Sequence, residues 1–246
     1  DGITYCDLAD DDGEEILPAD EDRLWSEAHF AKRLREPSTA WDKSRPATLT
    51  EFREAARRAR MAVERVFVVM HAFSGARREN DFEHHLRIKC QELEINLLVI
   101  SVDLGIDVHW DLGAPETFAE IHQMIEEGLL DGLLGGPPCA TWTRLRFRHG
   151  GPRPLRFRWC PWGRSDLTAY EHDRLVEANT LAVNYLSLCE ALALRGGIYV
   201  LEHPEDPGED PFPSLFNTDL LKSMEARAGG KHTGLDQCAL GGPTQK

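Results

Sequence analysis

The chain has 246 residues, 28% of them charged and 41% apolar, enough for one α/β domain with a full core plus an extension. No apolar run reaches membrane-spanning length, and no signal peptide opens the sequence. The net charge of −14 argues, as an average, against a nucleic-acid partner, but the charge is segregated: residues 1–22 carry acids and no base, whereas residues 144–164 carry seven arginines and no acid.

Residues 1–22 read as an acidic arm without order of its own. A polar helix is expected over 21–35, with Leu24, Trp25, Phe30 and Leu34 as its apolar stripe, ended by Pro37. Thr48 with Glu51 makes a capping box, so a helix should run to about Arg60. Residues 23–62 thus form a helical extension. From Val63 to the end an α/β rhythm sets in. Val66–Met70 is a short β-branched run and reads as a buried strand. Phe73, Ser74 and Gly75 follow it in a loop. A helix is predicted over 81–93, a strand over 97–102 ending at Asp103, and a short strand over 106–109 ending near Asp111. Pro115 opens a helix running to Glu127.

A strand over 129–134, with Asp131 near its start, is then stopped by Gly135, Gly136, Pro137 and Pro138, and Cys139 follows. The glycines permit a sharp turn and the prolines forbid a continued ladder. The result is a rigid loop at the carboxyl end of a parallel strand, where open α/β sheets place their ligands. A long helix over 171–195 ends at Gly196-Gly197, and a fifth strand over 198–201 leads into Glu202-His203-Pro204. A helix is expected over 218–228 and a further strand at 238–240, and the abrupt stop at Lys246 reads as the end of a fragment. Alternating strands and helices predict a doubly wound, mostly parallel sheet.

The strand ends gather Phe73-Ser74-Gly75, Asp103, Cys139 and Glu202 toward one crevice. Read singly, each is an ordinary turn or cap residue. The six scattered cysteines form no Cys-x-x-Cys pair, as expected in a reducing compartment, and His84 and His85 lack partners at metal-ligand spacing. No metal is expected. A phosphate loop is absent, and an arginine six residues beyond the thiol, as a cysteine phosphatase needs, is absent too: Arg144 comes five beyond Cys139. Arg144, Arg146, Arg148, Arg153, Arg156 and Arg158, interleaved with Trp142, Phe147, Phe157, Trp159 and Trp162, suit a phosphate backbone and stacked bases. They equally suit an exposed basic loop that balances acidic neighbours.

Pro138-Cys139 with Trp142 and Thr143 resembles the catalytic loop of the cytosine-C5 methyltransferases, with Ala140 where that family has Gln. Phe73-Ser74-Gly75 resembles the family's first loop, although His71 replaces an acid and Arg77 and Arg78 replace small residues. The resemblance covers about residues 66–204. It implies a Rossmann-like class I fold with S-adenosylmethionine held by Phe73, Ser74, Gly75, Asp103, Asp111 and Pro137. It implies Cys139 as nucleophile, Glu202 as the acid on the target ring, and DNA, or else RNA, as partner. An intracellular protein is then expected, nuclear in a eukaryote. The alternative is a degenerate fold of the same kind that binds nucleic acid without turnover.

Overall fold

The structure, a computed structural model, describes residue 46 and residues 48–75 and 81–234. The acidic arm, the helix expected over 21–35, Arg77, Arg78 and the strand expected at 238–240 lie outside the described residues.

Helix α1 (Leu49–Met61) begins where the Thr48 side chain accepts the Glu51 N–H at 3.1 Å, as the capping pattern predicts. Strand β1 (Val66–Ala72) follows, then α2 (Phe82–Glu92), capped by the Asp81 side chain on the His84 N–H. Strand β2 (Asn96–Val102) pairs in parallel along the whole of β1. Helix α3 (Pro115–Glu126) starts on its proline. Strand β3 (Gly132–Gly135) pairs with β1, and β4 (Ile198–Leu201) pairs with β3. Between them runs α4 (Ala169–Leu194), opened by a full capping box of Thr168 and Glu171. Helix α5 (Asp219–Ala228) closes the described chain.

The sheet is all parallel, in the order β2-β1-β3-β4, an α/β arrangement of Rossmann-like kind. From β1 the chain steps one way to β2, then returns past β1 to β3 and on to β4. Right-handed crossovers therefore put α2 on one face and α3 and α4 on the other. The gap between β1 and β3 is the topological switch point, and the loops leaving these strands diverge around a crevice at the carboxyl edge. Helix α4 packs on α3, α5, β3 and β4. Its Leu181, Ala182, Tyr185, Leu188 and Leu192 are buried in one core with Met70, Leu133 and their neighbours.

Two expectations are corrected. Residues 106–109 form no strand: Val108–Trp110 is a 3-10 turn, held by Ile106 and Asp107 N–H bonds to the Asp103 carbonyl and by the Asp107 carboxylate on the His109 N–H. Local side-chain capping outcompetes the sheet there. The described sheet thus has four strands, not five. Strand β3 also starts late, at Gly132, with Leu129 and Leu130 buried in the connection before it. Asp131 lies at the amino edge. It accepts the Val68 N–H at 2.8 Å and pairs with Arg60 at 2.9 Å and Arg65 at 3.5 Å, which ties α1 to the sheet. Among the described residues no helix is long and apolar enough to cross a membrane.

Candidate active site at the carboxyl edge

Parallel pairing of β3 with β4 aligns Gly135 with Leu201, so Gly136 and Glu202 leave the sheet side by side. The Glu202 N–H donates to the Gly135 carbonyl at 2.8 Å. A Cβ on Gly136 would lie 2.6 Å from the Glu202 carbonyl oxygen and 2.8 Å from Glu202 Oε2. Only a glycine lets the two loops approach so closely. Pro137 is buried, and Cys139 and Glu202 are exposed.

The loop that carries Cys139 is fixed from several sides. The Trp142 N–H donates to the Cys139 carbonyl at 2.9 Å, closing a turn. Arg146 Nε donates to the Ala140 carbonyl at 2.7 Å, and Arg156 Nε to Thr141 Oγ1 at 3.0 Å. The exposed Cys139 thiol contrasts with Cys189, which burial among apolar neighbours keeps protonated. Cys160 is disulfide-bonded.

At the neighbouring strand ends, Phe73 takes a left-handed backbone with φ of 55°, an outlier for an aromatic residue. Its ring meets Tyr185 edge-on at 5.4 Å, and the Tyr185 hydroxyl donates to the Val200 carbonyl at 2.7 Å, so packing holds the strained turn. Asp103 joins two loops: its carboxylate accepts the Gly75 N–H at 2.9 Å and the Gly105 N–H at 2.7 Å. Asp111 accepts the Gly113 N–H at 2.8 Å. Ser74 turns its hydroxyl onto backbone carbonyls. Each carboxylate oxygen retains a second lone pair, so Asp103 and Asp111 keep acceptor capacity toward ribose or amine donors. Asp103 and Asp111 are thus the acceptors here that could hold a nucleoside-bearing group. A cavity of about 900 Å³ lined by Glu64, Arg65, Arg87, Cys90 and Leu97 lies at the opposite, amino end of the strands, away from this crevice.

The six arginines divide into two groups. Arg146 and Arg156 are buried. Arg146 also donates to the Arg153 carbonyl at 2.9 Å. Arg156 lies 4.0 Å over the Trp142 ring and donates to Asn179 Oδ1 and the Pro161 carbonyl, each at 2.7 Å. Arg153 pairs with Asp166 and Glu171, and Arg158 with Asp206 at 2.7 Å. The hydrogen bond from Arg164, over a desolvation cost, holds Asp166 below the usual carboxylate range. Arg146 and Arg156 are thus taken up inside the loop, and Arg153 and Arg158 are held in ion pairs. Arg144 and Arg148 remain exposed, with no acidic partner among the described residues. Trp142 is buried as well, and Trp162 is partly buried against it at 5.9 Å.

The structure adds groups the sequence did not mark. Asn179 is buried within the apolar side of α4; a polar residue inside such a stripe was the available signal. His203 is buried between Trp142 at 5.6 Å and Phe216 at 6.1 Å. Neither its ring nitrogens nor Trp142 Nε1 make a well-formed hydrogen bond among the described residues. Burial, with Arg156 near by, lowers His203 to about 3 against a small opposing effect of the Pro204 backbone, so the ring is neutral at pH 7. Comparison with protein-family models, curated proteins and solved structures returned no match.

Proposed function

We propose that the chain is an S-adenosylmethionine-dependent methyltransferase acting on carbon-5 of cytosine, in DNA before RNA. The observation that supports it is the exposed pair Cys139 and Glu202 on loops leaving the adjacent parallel strands β3 and β4. Phe73, Ser74, Gly75, Asp103, Asp111 and Pro137 would hold the cofactor, which supplies an electrophilic methyl group.

Carbon-5 of cytosine is a poor nucleophile within its aromatic ring. Addition of the Cys139 thiolate to carbon-6 forms a C–S bond and pushes electron density to carbon-5, while Glu202 delivers a proton to, or holds one at, the ring nitrogen. After methylation, loss of the carbon-5 proton to a base, expulsion of the thiolate and return of the ring-nitrogen proton to the Glu202 carboxylate restore the ring. Covalent addition splits one difficult step into easier ones. The target base must leave its stack to reach a thiol at a strand end.

A duplex containing 5-fluorocytosine, incubated with the protein and S-adenosylmethionine, tests this. Fluorine blocks the final elimination, so the wild type is expected to be trapped through Cys139. Cys139→Ser abolishes transfer, and Glu202→Gln slows it by about 10²- to 10⁴-fold. Turnover by Cys139→Ser, or trapping at another residue, refutes the assignment. A second reading, a binding module without turnover, draws support from Arg77 and Arg78, which stand in the first loop where the resembled family has small residues. It predicts no trapping and no cofactor binding in calorimetry.

A further inference from the structure

We infer that Trp159, with Arg144 and Arg148, forms a stacking platform for an unpaired nucleic-acid strand beside the Cys139 loop; this takes its substrate class from the function proposed above and narrows it to single-stranded or locally opened segments. Trp159 is 55% exposed, an unusual state for the largest apolar side chain, and its indole lies on Phe157 with centroids 4.8 Å apart and planes 11° apart. One indole face is thus occupied by Phe157 while the side chain remains over half accessible. Phe157 meets Phe147 at 5.9 Å, Phe147 meets Phe212 at 5.1 Å, and the Arg144 guanidinium lies 5.2 Å from the Phe212 ring centre. A continuous aromatic path therefore joins the exposed indole to an exposed arginine five residues beyond the thiol.

The base of the platform is rigid. Arg158, next to Trp159, is held by Asp206 and Asp210, and its N–H donates to the Pro211 carbonyl at 3.0 Å. Arg164 covers Phe157 at 4.9 Å and is itself paired with Asp166. Such anchoring presents the indole in one orientation without an entropy loss on binding. The two acids nearest Arg158 are thereby partly neutralised, and among the loop's arginines Arg144 and Arg148 face solvent with no acidic partner in the described residues.

An exposed indole on a loop that also turns Arg144 and Arg148 to solvent matches a base and its phosphates. Bases within a duplex already stack on both faces, so the indole can gain only from an unpaired one. An acidic peptide would use the cations but not the indole, and an apolar peptide would use the indole but not the cations.

The test is fluorescence anisotropy of the full chain with labelled single-stranded DNA and RNA oligonucleotides and the matching blunt duplex, over a salt series. Single strands are expected to bind more tightly than the duplex and to quench tryptophan emission. Trp159→Ala should weaken single-strand binding by about 5- to 100-fold, and Trp159→Phe should restore most of it. Replacing Arg144 and Arg148 together by Ala should lower the slope of log affinity against log salt by about 1.4. Duplex binding equal to single-strand binding, or an unchanged affinity in Trp159→Ala, overturns the platform. Trapping through Cys139 with Trp159→Ala unaffected removes the platform and leaves the enzyme; Trp159-dependent binding without trapping removes the enzyme and leaves the platform.

Discussion

Replacing His203 by Phe should make the protein less sensitive to acid, by an amount fixed by the burial of one imidazole. In the folded chain the ring titrates near 3, against an ordinary value of 6.5. Between those values the unfolded chain binds a proton that the folded chain does not. Stability therefore rises with pH across this window, is fully present above about pH 6.5, and is lost as pH falls toward 3. Each pH unit inside the window is worth about 1.4 kcal/mol, so by about pH 4.5 the wild type has lost on the order of 3 kcal/mol through this ring. Phe cannot take up the proton and keeps an aromatic ring between Trp142 and Phe216. It also removes two buried nitrogens that lack well-formed hydrogen bonds, a gain that offsets the small excess volume of Phe near pH 7. The assay is urea unfolding of both proteins from pH 4 to pH 8, read as the difference in unfolding free energy. Other titrating groups cancel in that difference. A difference that stays constant with pH would show that His203 is protonated as easily in the folded chain as in the unfolded one, and would refute the reasoning.

Three further substitutions separate structural from exposed residues along the same loops. Gly136→Ala places a Cβ against the Glu202 backbone oxygen, which cannot swing away as a side chain could; a loss of about 1–3 kcal/mol in chemical unfolding is expected, and a neutral result would mean that β3 and β4 splay freely. Arg156→Ala removes a fully buried guanidinium and strands the buried Thr141 and Asn179, so it should cost about 3 kcal/mol or more, whereas Arg148→Ala should change stability by less than about 0.5 kcal/mol. Equal effects of the two would refute the division of the arginines into buried and solvent-facing sets.

The sequence by itself determined the elements whose signals are local. Thr48 and Glu51, Pro115, and the β-branched run at 66–70 placed α1, α3 and β1, because capping, proline geometry and apolar periodicity act within a few residues. It also placed Cys139 and Glu202 at strand ends, since Gly135-Gly136-Pro137-Pro138 and the proline at 204 stop a ladder whatever surrounds them. The 106–109 segment misled because Asp107 and the Asp103 carbonyl supply hydrogen bonds that β-propensity does not count. The roles of the arginines were decided by tertiary structure alone. Arg146, Arg148 and Arg156 look alike in a basic run, yet their partners, Ala140 and Arg153 for the first and Thr141, Pro161 and Asn179 for the last, are brought to them only by the folded loop and by α4. A charge acquires its function from what faces it, and packing brings that group from separations as different as the 5 residues from Arg156 to Pro161 and the 48 from Arg158 to Asp206.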